Sequence, residues 1–92
     1  MASKQVQLED LCREANQLLE LYFGPAVQCL NIWATFRKFE DIPWEIKVLV
    51  PSGELHEFAG SDAENAVRNL ERFGLEVIRR GLLHQPTDVQ SA

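Results

Sequence analysis

The stretch that decides the fold is residues 44–67, WEIKVLVPSGELHEFAGSDAENAV. Residues 44–50 alternate apolar and polar side chains, which is the two-residue period of a strand with one buried face. Residues 51–53 read Pro-Ser-Gly and supply a turn, and residues 54–59 predict another short strand. Residues 61–64 read Ser-Asp-Ala-Glu, a capping box with Ser as the N-cap. The stretch therefore predicts two strands joined by a tight turn and followed by a helix.

A helix and a further strand are predicted upstream of this stretch. Apolar side chains recur at helical spacing along residues 8–22, and charged side chains occupy the opposite side. Gly24 and Pro25 then stop the pattern, because Gly accepts a left-handed conformation and Pro cannot continue a helix. We therefore expect a first helix over residues 4–23. Residues 27–39 alternate again and predict the first strand.

The helix that follows the capping box carries an apolar stripe along residues 63–78. Gly74 lies on this stripe, although Gly in a helix interior costs about 1 kcal/mol relative to Ala. We expect a close approach of a neighbouring backbone, from the first helix or the sheet, to explain it. Gly81 is expected to end the helix.

The order of elements predicts an α+β fold. Short loops between consecutive strands imply a three-stranded antiparallel meander. Each helix has one apolar stripe and the sheet has one strongly apolar face, so both helices are expected on that face. The result is a two-layer α-β-β-β-α sandwich. We assign residues 1–84 to a single domain and residues 85–92 to a flexible tail.

The composition of the chain argues against several classes of function. The formal net charge is −5 and the isoelectric point is near 4.9, which argues against binding to nucleic acid or to anionic membranes. No apolar run approaches the roughly 20 residues that a membrane span requires. No secretory leader is visible, so we expect a cytoplasmic protein. Its two cysteines, Cys12 and Cys29, are expected to be reduced and buried as small apolar side chains.

The predicted order of elements resembles that of the double-stranded RNA-binding domain, in which both helices also lie on one sheet face. That family grips phosphate with a Lys-rich start to its second helix. Here residues 61–65 read Ser-Asp-Ala-Glu-Asn, and the first helix carries Glu9, Asp10 and Glu14. The resemblance therefore supports the architecture, whereas these acidic residues argue against RNA binding.

The predicted architecture leaves one face of the sheet uncovered. We expect Trp33, Leu49 and Leu55 to form an apolar patch within a polar rim, which is the usual anatomy of a docking surface. The simplest occupant is a second copy of the chain, through this face or the edge of the first strand; another protein is the alternative partner. The candidate interface comprises Asn31, Trp33, Thr35, Lys47, Leu49 and Leu55. The competing interpretation is ordinary exposure of single apolar side chains.

Two other binding functions are alternatives. A small-molecule pocket between the first helix and the sheet would be lined by Leu18, Tyr22, Phe36 and Trp44. Phe39 and Trp44 flank a loop and either line a pocket or close the end of the core. Nucleic-acid binding would use Arg37, Lys38 and Lys47, with Trp33 as a stacking platform.

No motif for catalysis, cofactor binding or metal binding is present. The densest titratable cluster is Glu54, His56 and Glu57, of which only Glu54 and His56 share a strand face. An enzyme that uses His56 with a carboxylate is therefore a minor alternative. The sequence predicts a small non-enzymatic binding module, without a catalytic, cofactor or metal site, and identifies no specific role for it.

Overall fold

The structure is a computed structural model that describes residues 4–83. The elements are, in order, α1 (Lys4–Phe23), a 3₁₀ segment (Gly24–Cys29), β1 (Asn31–Phe36), β2 (Trp44–Leu49), β3 (Leu55–Gly60), α2 (Ala63–Asn69), a π-helical turn (Leu70–Gly74) and α3 (Leu75–Leu83). This confirms the predicted α+β order. The predicted tail, residues 85–92, and residue 84 of the predicted domain lie outside the described residues.

The sheet is an antiparallel meander in the order β1-β2-β3. Ala34 pairs with Ile46, and Ile46 pairs with Phe58, so these three residues share one face. The core combines this face with both helical segments: Leu11, Ala15, Leu19, Leu30, Ile46, Val48, Val50, Phe58, Ala66, Leu70 and Ile78 are buried. The helices therefore cover the same side of the sheet, as predicted, and no helix within residues 4–83 covers the reverse side.

The first strand begins later than predicted. Gly24 has a φ of +61° and ends α1, as expected. Pro25 fits the first turn of a helix, and the chain continues as the 3₁₀ segment, whose Val27 packs against the core. Cys29 consequently lies in this segment and is exposed, so the expectation that it is buried in a strand is wrong. Cys12 is half-buried, and its Sγ donates to the Ile32 carbonyl at 3.3 Å.

The N-cap of α2 is Asp62, one residue after the predicted Ser61. The Asp62 carboxylate accepts from the Asn65 backbone N–H at 2.8 Å. Ser61 Oγ accepts from the Asn65 side-chain amide at 2.9 Å. The carboxylate is the better cap because it also carries the negative charge that the N-terminus of a helix favours.

The second helical region is not a uniform α-helix. The π-helical turn places an extra residue in its middle, and Phe73 is turned outward with 63% of its surface exposed. Gly74 is buried, and a Cβ atom there would lie 2.7 Å from Cζ of Phe58. The predicted close approach is therefore present, but the neighbour is a side chain of the sheet rather than a backbone.

Gly81 does not end the helix, in contrast to the prediction. The helix continues to Leu83, and Gly81 is buried against Val50, whose Cβ would stand 2.5 Å from a Cβ at position 81. The glycine lets the helix approach the end of β2, which a larger residue would prevent.

Candidate interaction face

The side of the sheet without a helix, called the open face below, is built by the alternate residues of the three strands. Its members are Asn31, Trp33, Thr35, Glu45, Lys47, Leu49, Leu55, Glu57 and Ala59. All six residues of the predicted interface lie on it. The strand register arranges them in rows that run across the sheet.

The apolar part of the open face occupies neighbouring rows. Leu49 pairs with Leu55, so their side chains are adjacent on the face. Trp33 lies one row further along and pairs with Lys47. Trp33 is 38% exposed and Leu55 is 45% exposed, which is substantial for side chains of this size. The three apolar residues are thus brought together on one surface.

The polar part of the open face is a network of charges centred on Glu45. This carboxylate is 5% exposed, although it lies on the side without a helix. Thr35 Oγ1 donates to Glu45 Oε1 at 3.2 Å. Arg37 Nη1 lies 3.7 Å from Glu45 Oε2, and Lys47 Nζ lies 3.8 Å from Glu45 Oε1. These neighbours satisfy the carboxylate and shield it from water.

Lys47 extends this network across the sheet. Its Nζ also lies 3.3 Å from Glu57 Oε2, on the adjacent strand. The network therefore contains two cations, Arg37 and Lys47, and two anions, Glu45 and Glu57, so its charges balance. A balanced surface of this kind repels neither a second copy of itself nor a neutral partner.

Each outer strand of the sheet has one carbonyl group that is bonded to a side chain of the same chain. The Ile32 carbonyl of β1 accepts from the Cys12 thiol, as described above. On the other edge, Asn69 Nδ2 donates to the Ala59 carbonyl of β3 at 2.6 Å. These two carbonyl groups are therefore engaged within the chain.

The four residues of the predicted pocket do not converge. Phe36 and Trp44 pack edge to face with ring centroids 4.9 Å apart, and Lys4 Nζ lies 3.9 Å from the Phe36 centroid. Tyr22 lies about 27 Å along the α1 axis from Lys4, and Leu18 about 21 Å, at a rise of 1.5 Å per residue. Phe36 and Trp44 are therefore at one end of the sandwich, and Leu18 and Tyr22 are towards the other.

A cleft of about 450 Å³ lies between the β2–β3 turn and α3. Ser52, Glu54, His56 and Arg80 contribute its polar lining. His56 Nε2 is buried and has no hydrogen-bond partner among residues 4–83; it lies 3.4 Å from Glu54 Oε1 without the alignment of a hydrogen bond. Glu54 and His56 are thus brought together as their shared strand face predicts. Among residues 4–83, no group of three His, Cys, Asp or Glu side chains is placed to hold a metal ion.

Two features of the surface were missed by the sequence analysis. The burial of Glu45 has a partial signal in the basic residues Arg37 and Lys47, but the pairing that brings Arg37 beside it is tertiary. Phe39, expected to line a pocket or close the core, is 99% exposed and has a φ of +69°. This conformation is rare for an aromatic residue, and the sequence contains no signal for it.

No protein-family model matches this chain, and neither a curated protein nor a solved structure is similar to it at a significant level. No helix within residues 4–83 has both the length and the apolar character to cross a membrane.

Proposed function

We propose that this protein is a small non-enzymatic binding module that associates as a homodimer through the open face. The observation that supports the proposal is the juxtaposition of Trp33, Leu49 and Leu55 beside a balanced charge network on a sheet surface without a helix. Aromatic and aliphatic anchors enclosed by polar residues are typical of protein interfaces.

A second copy suits this surface because the surface is complementary to itself. In a two-fold dimer the same face contributes from both subunits, so each cation can meet an anion of the other copy. Lys47 and Glu57 pair across β2 and β3, and a two-fold axis that lies parallel to these strands, in the plane between the two faces, brings Lys47 of one copy opposite Glu57 of the other. Two sheets would then stack about 10 Å apart, as in a β-sandwich.

The size of the face sets the strength of such a dimer. A six-residue strand is roughly 20 Å long, and three strands span roughly 14 Å. These dimensions give a flat area of roughly 280 Å² per copy, or roughly 560 Å² for two copies, which is below the range of about 1,200–2,000 Å² for stable interfaces. We therefore expect a weak dimer whose population rises with concentration, half-formed at roughly tens of micromolar.

Sedimentation velocity over a concentration series tests the proposal. The wild-type chain is expected to shift from monomer to dimer, and Trp33→Glu is expected to remain monomeric because it buries a charge in the contact. Leu21→Glu is the matched control, since Leu21 is 79% exposed on α1, away from the open face. Its dimer should persist.

Two outcomes would contradict the proposal in different ways. A wild-type monomer at roughly tens of micromolar and above would remove the dimer. A Trp33→Glu dimer of unchanged strength would place the interface elsewhere on the molecule. Circular dichroism of each variant confirms that the fold is retained before its mass is interpreted.

A further inference from the structure

A second surface is formed where α2 packs along the outer strand β3, and it meets the open face only at Ala59. It is a cleft of about 310 Å³, bounded by the β1–β2 loop, the end of β3 and one side of the helical region. The residues that define it are Ile42, Gly60, Asn65, Arg68, Asn69 and Arg72. No carboxylate is among the residues that line it.

Most polar side chains of this cleft are held in place by their own neighbours. Arg68 Nη2 lies 2.9 Å from Glu64 Oε2. Asn65 is fixed by its bonds to Ser61 and Asp62, and Asn69 is fixed by its bond to the Ala59 carbonyl. Groups that are already ordered lose little conformational entropy when they bind a ligand.

Arg72 differs from Arg68, the other arginine that lines the cleft. Among residues 4–83, no carboxylate lies within ion-pairing distance of its guanidinium group, and its Cζ lies 5.8 Å from the centroid of the Phe73 ring. Arg68 precedes it by one helical turn, so both cations lie on the same side of the helix. The cleft is therefore a local positive site on a chain whose net charge is −5.

Exposed apolar side chains flank this positive site. Ile42 is 54% exposed and lines the cleft, and Phe73 is 63% exposed beside Arg72. The β1–β2 loop also presents Phe39, which is almost fully exposed and has the positive φ described above. A ligand that matches the site thus carries both negative charge and apolar side chains.

We propose that this cleft binds a short acidic segment of a partner protein. A carboxylate of the segment pairs with Arg72, whose guanidinium group suits the planar, two-oxygen geometry of a carboxylate, while Arg68 stays paired with Glu64 at the border of the site. An apolar side chain of the segment packs against Ile42. A peptide is favoured over nucleic acid because two arginines neutralise few phosphates, while the acidic remainder of the chain repels a long polyanion.

The test is an NMR titration of the full-length, ¹⁵N-labelled protein with an N-acetylated, C-amidated peptide in which Glu and Leu alternate. The backbone amides of Gly60, Arg68 and Arg72 and the side-chain amide of Asn69 are expected to shift. The same peptide with Gln in place of Glu, and single-stranded oligothymidylate, are titrated separately. The protein is kept below the concentration at which it dimerises, so a failure of the dimer proposal does not affect the result.

Two matched variants test whether Arg72 contributes to peptide binding. Arg72→Glu is expected to weaken peptide binding by roughly threefold to tenfold, and raising the salt concentration should weaken binding to the wild type. Arg79→Glu makes the same charge change on α3, where Arg79 pairs with Glu76 at 3.4 Å, and should leave binding unchanged. Thermal unfolding shows whether each variant retains the fold.

Several results would overturn the proposal. If the Glu-Leu peptide causes saturating chemical-shift changes elsewhere on the protein, or no changes at millimolar concentration, an acidic segment does not bind in this cleft. Equal binding of the Gln peptide shows that carboxylates are not recognised. Tighter binding of oligothymidylate at the same residues assigns the cleft to nucleic acid instead, and equal binding by Arg72→Glu removes the proposed role of that arginine.

Discussion

The ring of Phe58 occupies the space that any side chain at position 74 would need. A Cβ on Gly74 would lie 2.7 Å from Cζ and 2.9 Å from Cε1 of the ring. Phe58 is buried on the core side of the outer strand β3, so it cannot move away without disturbing the core. The contact fixes the position of the π-helical turn relative to β3.

The first prediction concerns this contact. Gly74→Ala should lower the free energy of unfolding by about 1–3 kcal/mol, because overpacking the core outweighs the roughly 1 kcal/mol gain in helix propensity. Phe58→Leu should reduce the penalty of the alanine, which urea unfolding of both single variants and the double variant measures as a coupling energy. A stabilised Gly74→Ala variant would contradict the packing described here.

The second prediction concerns the link between α1 and the π-helical turn. Tyr22 Oη donates to Glu71 Oε2 at 2.8 Å, and this hydrogen bond, together with the carboxylate charge, raises the pKa of Tyr22. Because the pKa is higher in the folded state, the stabilisation is complete below the unfolded pKa of about 10 and is lost as the pH rises through the folded pKa.

Tyr22 is the only tyrosine, so the near-ultraviolet absorbance of tyrosinate reports on it alone. Glu71→Gln should lower the pKa of Tyr22 towards its ordinary value, since the negative charge is removed. Glu20→Gln, which lies on α1 with Tyr22, is the control and should leave the pKa of Tyr22 unchanged. If Glu71→Gln also leaves the titration midpoint unchanged, the hydrogen bond is absent in solution.

The third prediction concerns the charge network of the open face. Glu45→Ala leaves Arg37 and Lys47 without their shared carboxylate, and it should lower the free energy of unfolding by about 1–3 kcal/mol. Glu57→Ala removes a partner whose side chain is 45% exposed, and the change should stay below about 1 kcal/mol. Urea denaturation midpoints compare the two variants, and equal losses would show that burial does not distinguish the two carboxylates.

The fourth prediction concerns His56. Its buried Nε2 has no hydrogen-bond partner within residues 4–83, and the Glu54 carboxylate at 3.4 Å is not aligned to accept one, so His56→Leu removes a polar group that these residues do not satisfy. The variant should unfold with a free energy equal to that of the wild type or up to about 1 kcal/mol higher. Thermal denaturation measures the difference. A loss of several kcal/mol would mean that the imidazole makes an interaction that its surroundings here do not reveal.

The spacing of apolar residues along the sequence was sufficient to predict the order of helices and strands and the side of the sheet that the helices cover. The alternation around Ile46 and the stripe around Leu19 each depend on neighbours along the chain, so both could be read locally. The 3₁₀ segment and the π-helical turn could not, because each is selected by packing against the rest of the core. Gly74 was the only residue whose identity indicated a special feature in the region of the π-helical turn. It predicted a close contact there but did not identify Phe58 as the contacting residue.

The candidate surfaces, like the fold, could be predicted from the sequence only in part. The alternation of Trp33 with its strand neighbours predicts its side of the sheet, and the register confirms it. The burial of Glu45 and the cleft beside Arg72 depend on which strands and helices become adjacent. A single sequence contains no pattern for that adjacency.

The hydrogen bonds that Cys12 and Asn69 donate to the two opposite edges of the sheet have a consequence for how this protein aggregates. A fibril grows by adding strand after strand to a free edge, and each of these bonds removes one acceptor that an incoming strand would use. Replacing Asn69 by Ala would release the acceptor on β3.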